Sequence, residues 1–238
     1  MKNKKPIIFA SVAAGFFLLF LLLTILVKYV DVKSISTNSV GLEVGLSSLN
    51  KVFLVNGYNK QIDVCSDILL YMSIFSFVFL GGVALYQLIK NKSLKKIDKD
   101  IYIIFGLAVL MVVFYIFFDK VAIINYRPIN LKGKLESSYP STHVLVTTYL
   151  TLATFNIYGK YINKNLAKLA AIVAAMFIIM FVCVGRIAAG MHYFTDVIGG
   201  LLLGLGLYFT YETLKYSFLK EEKEEVEEEN VWASSFKR

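Results

Sequence analysis

Charge, sulfur and proline are all scarce in this 238-residue chain. Only 18% of its residues are charged, and it holds two cysteines, three prolines, two histidines and one tryptophan. Two cysteines exclude a disulfide-stapled secreted scaffold. Three prolines exclude a proline-rich linker protein. What fills the chain is hydrocarbon: 57% of residues are hydrophobic and the mean hydropathy is +0.64. That is too much apolar surface for one water-soluble core, and it points to a single integral membrane domain. The formal net charge of +8 would suggest a nucleic-acid partner in a soluble protein. Here it reads as membrane orientation, with no nucleic acid implied.

Six uncharged runs are candidate spans. Ile7–Val27, Ile68–Ile89 and Ile101–Phe118 hold 21, 22 and 18 residues, long enough at about 1.5 Å per residue for a hydrocarbon core of about 30 Å. The first is too long, and lacks the following small-residue pattern, for a cleaved leader. Val144–Gly159, Leu169–Gly185 and Val197–Tyr211 are shorter, at 16, 17 and 15 residues, and the first of these carries four threonines. They reach full length only if their outer turns include His143 and the segment His192–Asp196. The sequence therefore predicts an all-α integral membrane bundle of six transmembrane helices over residues 1–219.

Lysines orient that bundle. Lys2, Lys4 and Lys5, then Lys90, Lys92, Lys95, Lys96 and Lys99, then Lys160, Lys164 and Lys168 fall on one set of connections, which the positive-inside bias makes cytoplasmic. Both termini are then cytoplasmic. Residues 1–211 carry 20 basic and 9 acidic side chains, whereas seven glutamates between 221 and 229 make residues 220–238 an acidic, solvated cytoplasmic tail. The loop 119–140 breaks the bias, because it sits outside yet holds Lys120, Arg127, Lys132 and Lys134. Lys132 and Lys134 match no motif and read as solvated loop charge. The longer outer loop, 31–64, places Leu42, Leu46, Leu49 and Phe53 at an amphipathic helix period. That helix either lies on the membrane surface or packs on the bundle. Gly200 and Gly204 make a close-packing pair within the bundle, Cys65 and Cys183 read as unpaired thiols, and Asp67 reads as a helix-end residue.

Three outer segments concentrate the chemistry: Lys120 through Arg127-Pro128, then Pro140-Ser141-Thr142-His143, then Arg186 through His192 to Asp196. Ionisable groups near membrane depth are costly, so such a cluster is a functional-site candidate. Lys120, Arg127 and Arg186 offer three cations rich in N–H donors, which suits a phosphate dianion. His192 and Asp196, four apart, share a face if helical; the carboxylate then holds one imidazole nitrogen and frees the other as a nucleophile. His143 is placed to donate a proton to a departing oxygen. The chemistry calls for no metal and no cofactor.

The three segments, in this order, resemble the signature motifs of the type 2 phosphatidic acid phosphatase family, relatives of the vanadium haloperoxidases, over roughly residues 42–211. The resemblance implies that His192 attacks phosphorus to form a phosphohistidine, that Asp196 orients it, and that His143 protonates the leaving group. It implies that Lys120, Arg127, Ser141 and Arg186 hold the phosphoryl oxygens. Thr142 and Gly185 depart from the family pattern, which usually has Gly and Ser there. Phosphatidic acid, phosphatidylglycerol phosphate and undecaprenyl diphosphate are the implied substrates, met at the extracytoplasmic face of a bacterial plasma membrane. A lipid-linked phosphotransferase using the same site, or a transporter or assembly subunit that only binds anions, are the alternatives.

Overall fold

The protein is represented by a computed structural model that describes residues 4–35, 42–131, 133, 135–160, 162 and 164–235, with side chains through 218. Lys2, Lys132, Lys134 and the side chains of the acidic tail lie outside the described residues. Among the described residues there are seven α-helices: α1 (Lys5–Tyr29), α2 (Ser47–Val52), α3 (Lys60–Asn91), α4 (Lys99–Ile116), α5 (Thr142–Tyr158), α6 (Asn165–Ala188) and α7 (Phe194–Ser235). Each of the six uncharged runs falls in one of the six long helices, apart from Phe117 and Phe118 in the turn after α4 and Gly159 just after α5. Among the described residues the only paired strands are β1 (Lys33–Ser34) and β2 (Glu43–Val44), antiparallel with Lys33 opposite Val44.

Five helices are long and apolar enough to cross a membrane: α1, α3, α4 with the turn after it, α6, and α7 to Phe218. Their outward faces are bare hydrocarbon, with Leu18, Phe75, Val109, Met176 and Met180 all largely exposed, as expected for surfaces meeting lipid. The sixth long helix, α5, has 17 residues and lies in the centre, packed by α3, α4, α6 and α7. Central position explains its low hydropathy. Thr147, Thr148, Thr151 and Thr154 are buried against protein, where Thr154 bonds the Leu150 carbonyl at 2.7 Å and Thr151 meets Ser73 at 2.8 Å. The hydrophobic core around α5 includes Ile104, Leu145, Tyr149, Leu203 and Leu207.

The Gly200/Gly204 pair lies on the α5–α7 seam, as expected. A Cβ on Gly204 would stand 2.8 Å from Cβ of Thr148, and one on Gly200 would strike the Ser141 carbonyl. Backbones approach closely there because neither residue has a side chain.

The outer loop corrects one expectation. The period of Leu42, Leu46, Leu49 and Phe53 does not make a long amphipathic helix: Leu46 takes a left-handed conformation (φ 48°) and only Ser47–Val52 is helical. This short helix packs on the bundle. Asn50 donates to Thr195 Oγ1 at 3.0 Å and accepts from the Thr195 N–H at 3.1 Å, and Phe53 stacks on Phe194 at 4.3 Å. Asn50 thus seats α2 on the first turn of α7, beside Asp196. Cys65 and Cys183 are both free thiols.

Candidate active site

One end of the bundle gathers the beginnings of α3, α5 and α7 with the ends of α4 and α6, so residues distant in sequence meet there. Alternating helix direction makes this unavoidable: each connection at that end brings one helix out and sends the next one in. The connection 122–141 is shaped by backbone pairing. The Arg127 N–H donates to the Glu136 carbonyl at 3.0 Å, and the Ser138 N–H to the Asn125 carbonyl at 2.9 Å. That pairing fixes Asn125 and Arg127 beside Glu136 and Ser138.

His192 sits in the turn between α6 and α7, not on a helix with Asp196 as the four-residue spacing suggested. Gly190 makes the turn with φ +74°, and a Cβ there would strike the Gly57 carbonyl. The N–H groups of Met191 and His192 both return to the Arg186 carbonyl, at 3.2 and 3.3 Å. Asp196, third residue of α7, accepts the Tyr193 N–H on Oδ2 at 3.0 Å. The pair still meets: His192 Nδ1 lies 3.7 Å from Asp196 Oδ2, with both side chains almost wholly buried. This is looser than a hydrogen bond, as catalytic pairs without substrate often are. Nε2 of His192 has no hydrogen-bond partner among the described residues. Burial, reinforced by the charges of Arg186 and Arg127 and by His143, holds the His192 pKa well below the usual 6.5. The imidazole is therefore neutral at physiological pH.

Asp196 is held from several sides. Asn125, itself buried, donates from Nδ2 to Oδ1 at 3.1 Å, and the Asp196 carbonyl accepts the Ser141 N–H at 2.9 Å. Ser141 is fully buried and its Oγ has no partner among the described residues, an orphan hydroxyl of the kind an incoming phosphoryl oxygen would satisfy.

The cations divide between two adjoining cavities. The larger, about 620 Å³, is bordered by Lys120, Arg127, Thr142 and His192. The smaller, about 390 Å³, is bordered by Asp63, Asp67, Arg127, His143 and Arg186. Arg127 and Glu136 border both and so form their shared wall. Each cation rests on a carboxylate. Lys120, well exposed, pairs with Asp119 at 2.7 Å; Arg127 Nε lies 3.2 Å from Glu136; buried Arg186 bonds Asp63, and Ser66 Oγ at 3.1 Å.

His143 Nε2 meets Asp67 Oδ1 at 2.8 Å. Asp67 is thus no mere helix-end residue, because the packing of α3 against α5 turns it onto the site. Sequence reasoning also missed Asp63 and Asn125. The signal for the α3 pair was present: Asp63 and Asp67 are one helical turn apart on an otherwise apolar helix. The departure at Gly185 faces α3, where a Cβ would meet Ser66 Cβ at 3.5 Å. Ser66 supplies a hydroxyl next to Arg186.

The PAP2 superfamily model matches residues 117–218, a stretch containing all seven of the predicted site residues. Over this stretch the chain is similar to the PAP2 superfamily. No curated protein matches it. Among solved structures, it matches the first transmembrane PAP2 type phosphatidylglycerolphosphate phosphatase from Bacillus subtilis, with a TM-score of 0.57 and 18% identity. That match covers 90% of this chain and 98% of the other, so the two share a fold along nearly their whole length. Asp63 and Asp67 lie outside the segment matched by the PAP2 model.

Proposed function

We propose that this chain is a multi-pass PAP2-type lipid phosphatase of the plasma membrane. It hydrolyses a lipid phosphomonoester or diphosphate through a phosphohistidine on His192. The observation that carries the reading is a buried, neutral imidazole with an unpartnered Nε2 on the border of a cavity that also meets Lys120 and Arg127. A phosphate dianion drawn there would exchange the local carboxylate partners for its own oxygens. Lys120, Arg127, Ser141 and Arg186 hold those oxygens, and Asp196 closes on His192 Nδ1 as positive charge develops on the ring. His143 protonates the leaving oxygen and then activates water against the phosphohistidine.

In this reading all six long helices span, both termini lie on the lysine-rich side and the site lies at the opposite, extracytoplasmic end. Shielding by protein supports a spanning role for α5 despite its short length. Phosphatidylglycerol phosphate, the substrate class of the Bacillus subtilis protein, joins phosphatidic acid and undecaprenyl diphosphate as the candidates.

A panel of these lipid phosphates, assayed with wild type and His192→Ala in EDTA, tests the reading. We expect orthophosphate release from at least one lipid by wild type alone. Inert wild type across the panel would leave an anion-binding protein. Label retained on a second lipid in place of free phosphate would establish a phosphotransferase.

A further inference from the structure

The His143–Asp67 contact decides which imidazole nitrogen does the work. Nε2 of His143 is committed to Asp67 Oδ1 at 2.8 Å, whereas Nδ1 is buried and has no partner among the described residues. The carboxylate is itself fixed from a third helix: Arg186 Nη1 lies 3.5 Å from the same Oδ1. Arg186 is held in turn by Asp63, one turn earlier on α3. Burial and the charges of Arg186 and Arg127 oppose positive charge on the His143 ring, and Asp67 is the neighbour that favours it. Asp67 is thus the group that faces the ring when it carries the proton.

We propose that Asp67 is the positioning residue for the proton donor: by holding Nε2 of His143, it leaves Nδ1 as the atom that exchanges the proton with the leaving oxygen. The proposal rests on the phosphatase reading above. As His192 Nε2 forms its bond to phosphorus, the P–O bond to the lipid breaks and its electron pair stays on the departing oxygen. That oxygen takes the proton from His143 Nδ1. His143 is left neutral, with its remaining N–H on Nε2 facing Asp67. In the second half, Nδ1 takes a proton from water as the water oxygen bonds phosphorus. The N–P bond breaks with its pair returning to His192, phosphate departs, and the imidazolium is restored. The two histidines therefore work through opposite nitrogens, His192 through Nε2 and His143 through Nδ1, each with its other nitrogen turned to a carboxylate.

The alternative is that Asp67 only braces α3 against α5, and leaving-group chemistry separates the two. An alkyl phosphate must be protonated as it leaves, whereas a nitrophenolate departs without help. Two substrates on the same lipid-like chain, one an alkyl and one a nitrophenyl phosphate, are assayed with wild type, Asp67→Asn, Asp67→Glu, His143→Asn, His192→Ala and the double variant Asp67→Asn/His143→Asn.

We expect Asp67→Asn to lower kcat/KM, which reports the half-reaction that releases the leaving group and not the later hydrolysis common to both substrates, by about 100-fold on the alkyl phosphate, the scale of general acid catalysis, and by under about threefold on the nitrophenyl phosphate. Asp67→Glu should recover part of the loss. His143→Asn should show the same split, and the double variant should be no worse on the alkyl substrate than His143→Asn alone. Equal losses on both substrates, or none on either, would overturn the assignment. If Asp67→Asn does not fold, Asp67→Glu decides: a loss confined to the alkyl phosphate supports the assignment, and an equal loss on both substrates, or none on either, overturns it. Wild type inert on both substrates, or active His192→Ala, would overturn the phosphatase reading and this assignment with it.

Discussion

Asn125 donates to one oxygen of Asp196 at 3.1 Å while the other oxygen faces His192 Nδ1 at 3.7 Å. The carboxylate is thereby split between a fixed amide and the imidazole. Asn125 carries no chemistry of its own, yet it sets where the negative charge stands when His192 becomes cationic. We expect Asn125→Ala to lower kcat roughly 10- to 100-fold, the usual cost of removing a group that orients a catalytic ligand, with KM nearly unchanged. A steady-state comparison with Asn125→Gln checks it. A rise in KM alone would show that Asn125 acts on substrate binding.

The neutral state of His192 has a sign that can be measured. Burial and the charges of Arg186 and Arg127 lower its pKa well below 6.5, so the neutral form, the proposed nucleophile, is lost only as pH falls through that lowered value. The acid limb of kcat/KM, which reports the free enzyme, should therefore lie below pH 6.5. Arg186→Gln removes the nearest of the opposing charges and should move that limb toward 6.5 in whatever activity remains. A limb above 6.5 in wild type would contradict the burial of His192.

Every cation of the site already has an anionic neighbour, which bears on affinity for phosphate. Glu136 lies 3.2 Å from Arg127 Nε on the wall shared by the two cavities, and an incoming dianion must displace or tolerate it. Glu136→Gln keeps the shape and removes the competing charge. We expect orthophosphate to inhibit this variant about two- to fivefold more strongly than wild type, the scale of a partly exposed ion pair. Inhibition constants at matched ionic strength decide, since raising salt should shrink the difference.

The parts legible in the sequence are those set by local spacing. Six apolar runs gave six long helices because hydrocarbon length is read along the chain. The three polar segments met because alternating helix direction carries them to one end. The 31–64 loop failed because a four-three-four spacing does not reveal that Leu46 takes a positive φ and starts the helix late. The His192–Asp196 spacing gave the right contact by the wrong geometry, through a glycine turn and the first turn of α7 in place of one helix face. Asp63, Asp67 and Asn125 were hidden for a different reason. Their meaning depends on which face of α3 packs against α5 and α6, and on a backbone pairing that places Asn125 two residues from Arg127 yet against α7. Neither leaves a periodic trace.

The α5–α7 seam links the stability of the bundle to the geometry of the site. His143 opens α5, Asp196 opens α7, and the Ser141 N–H bonds the Asp196 carbonyl between them, so any force that parts these helices separates the proposed proton donor from the proposed nucleophile. Gly204→Val would place its Cβ 2.8 Å from Thr148 Cβ. Relief requires α5 to move, at a cost of about 1–3 kcal/mol for overpacking. We expect a lower Tm in detergent together with a fall in kcat, although Gly204 touches no reacting group. Gly106 on α4 supplies the contrast, since a Cβ there meets nothing within 4 Å. Gly106→Ala should hold or raise Tm, as alanine favours the helix by up to about 1 kcal/mol, and should leave kcat unchanged. If Gly204→Val lowered Tm without touching kcat, the helices would be free to part without moving the site, and the Ser141–Asp196 link would not be what couples them.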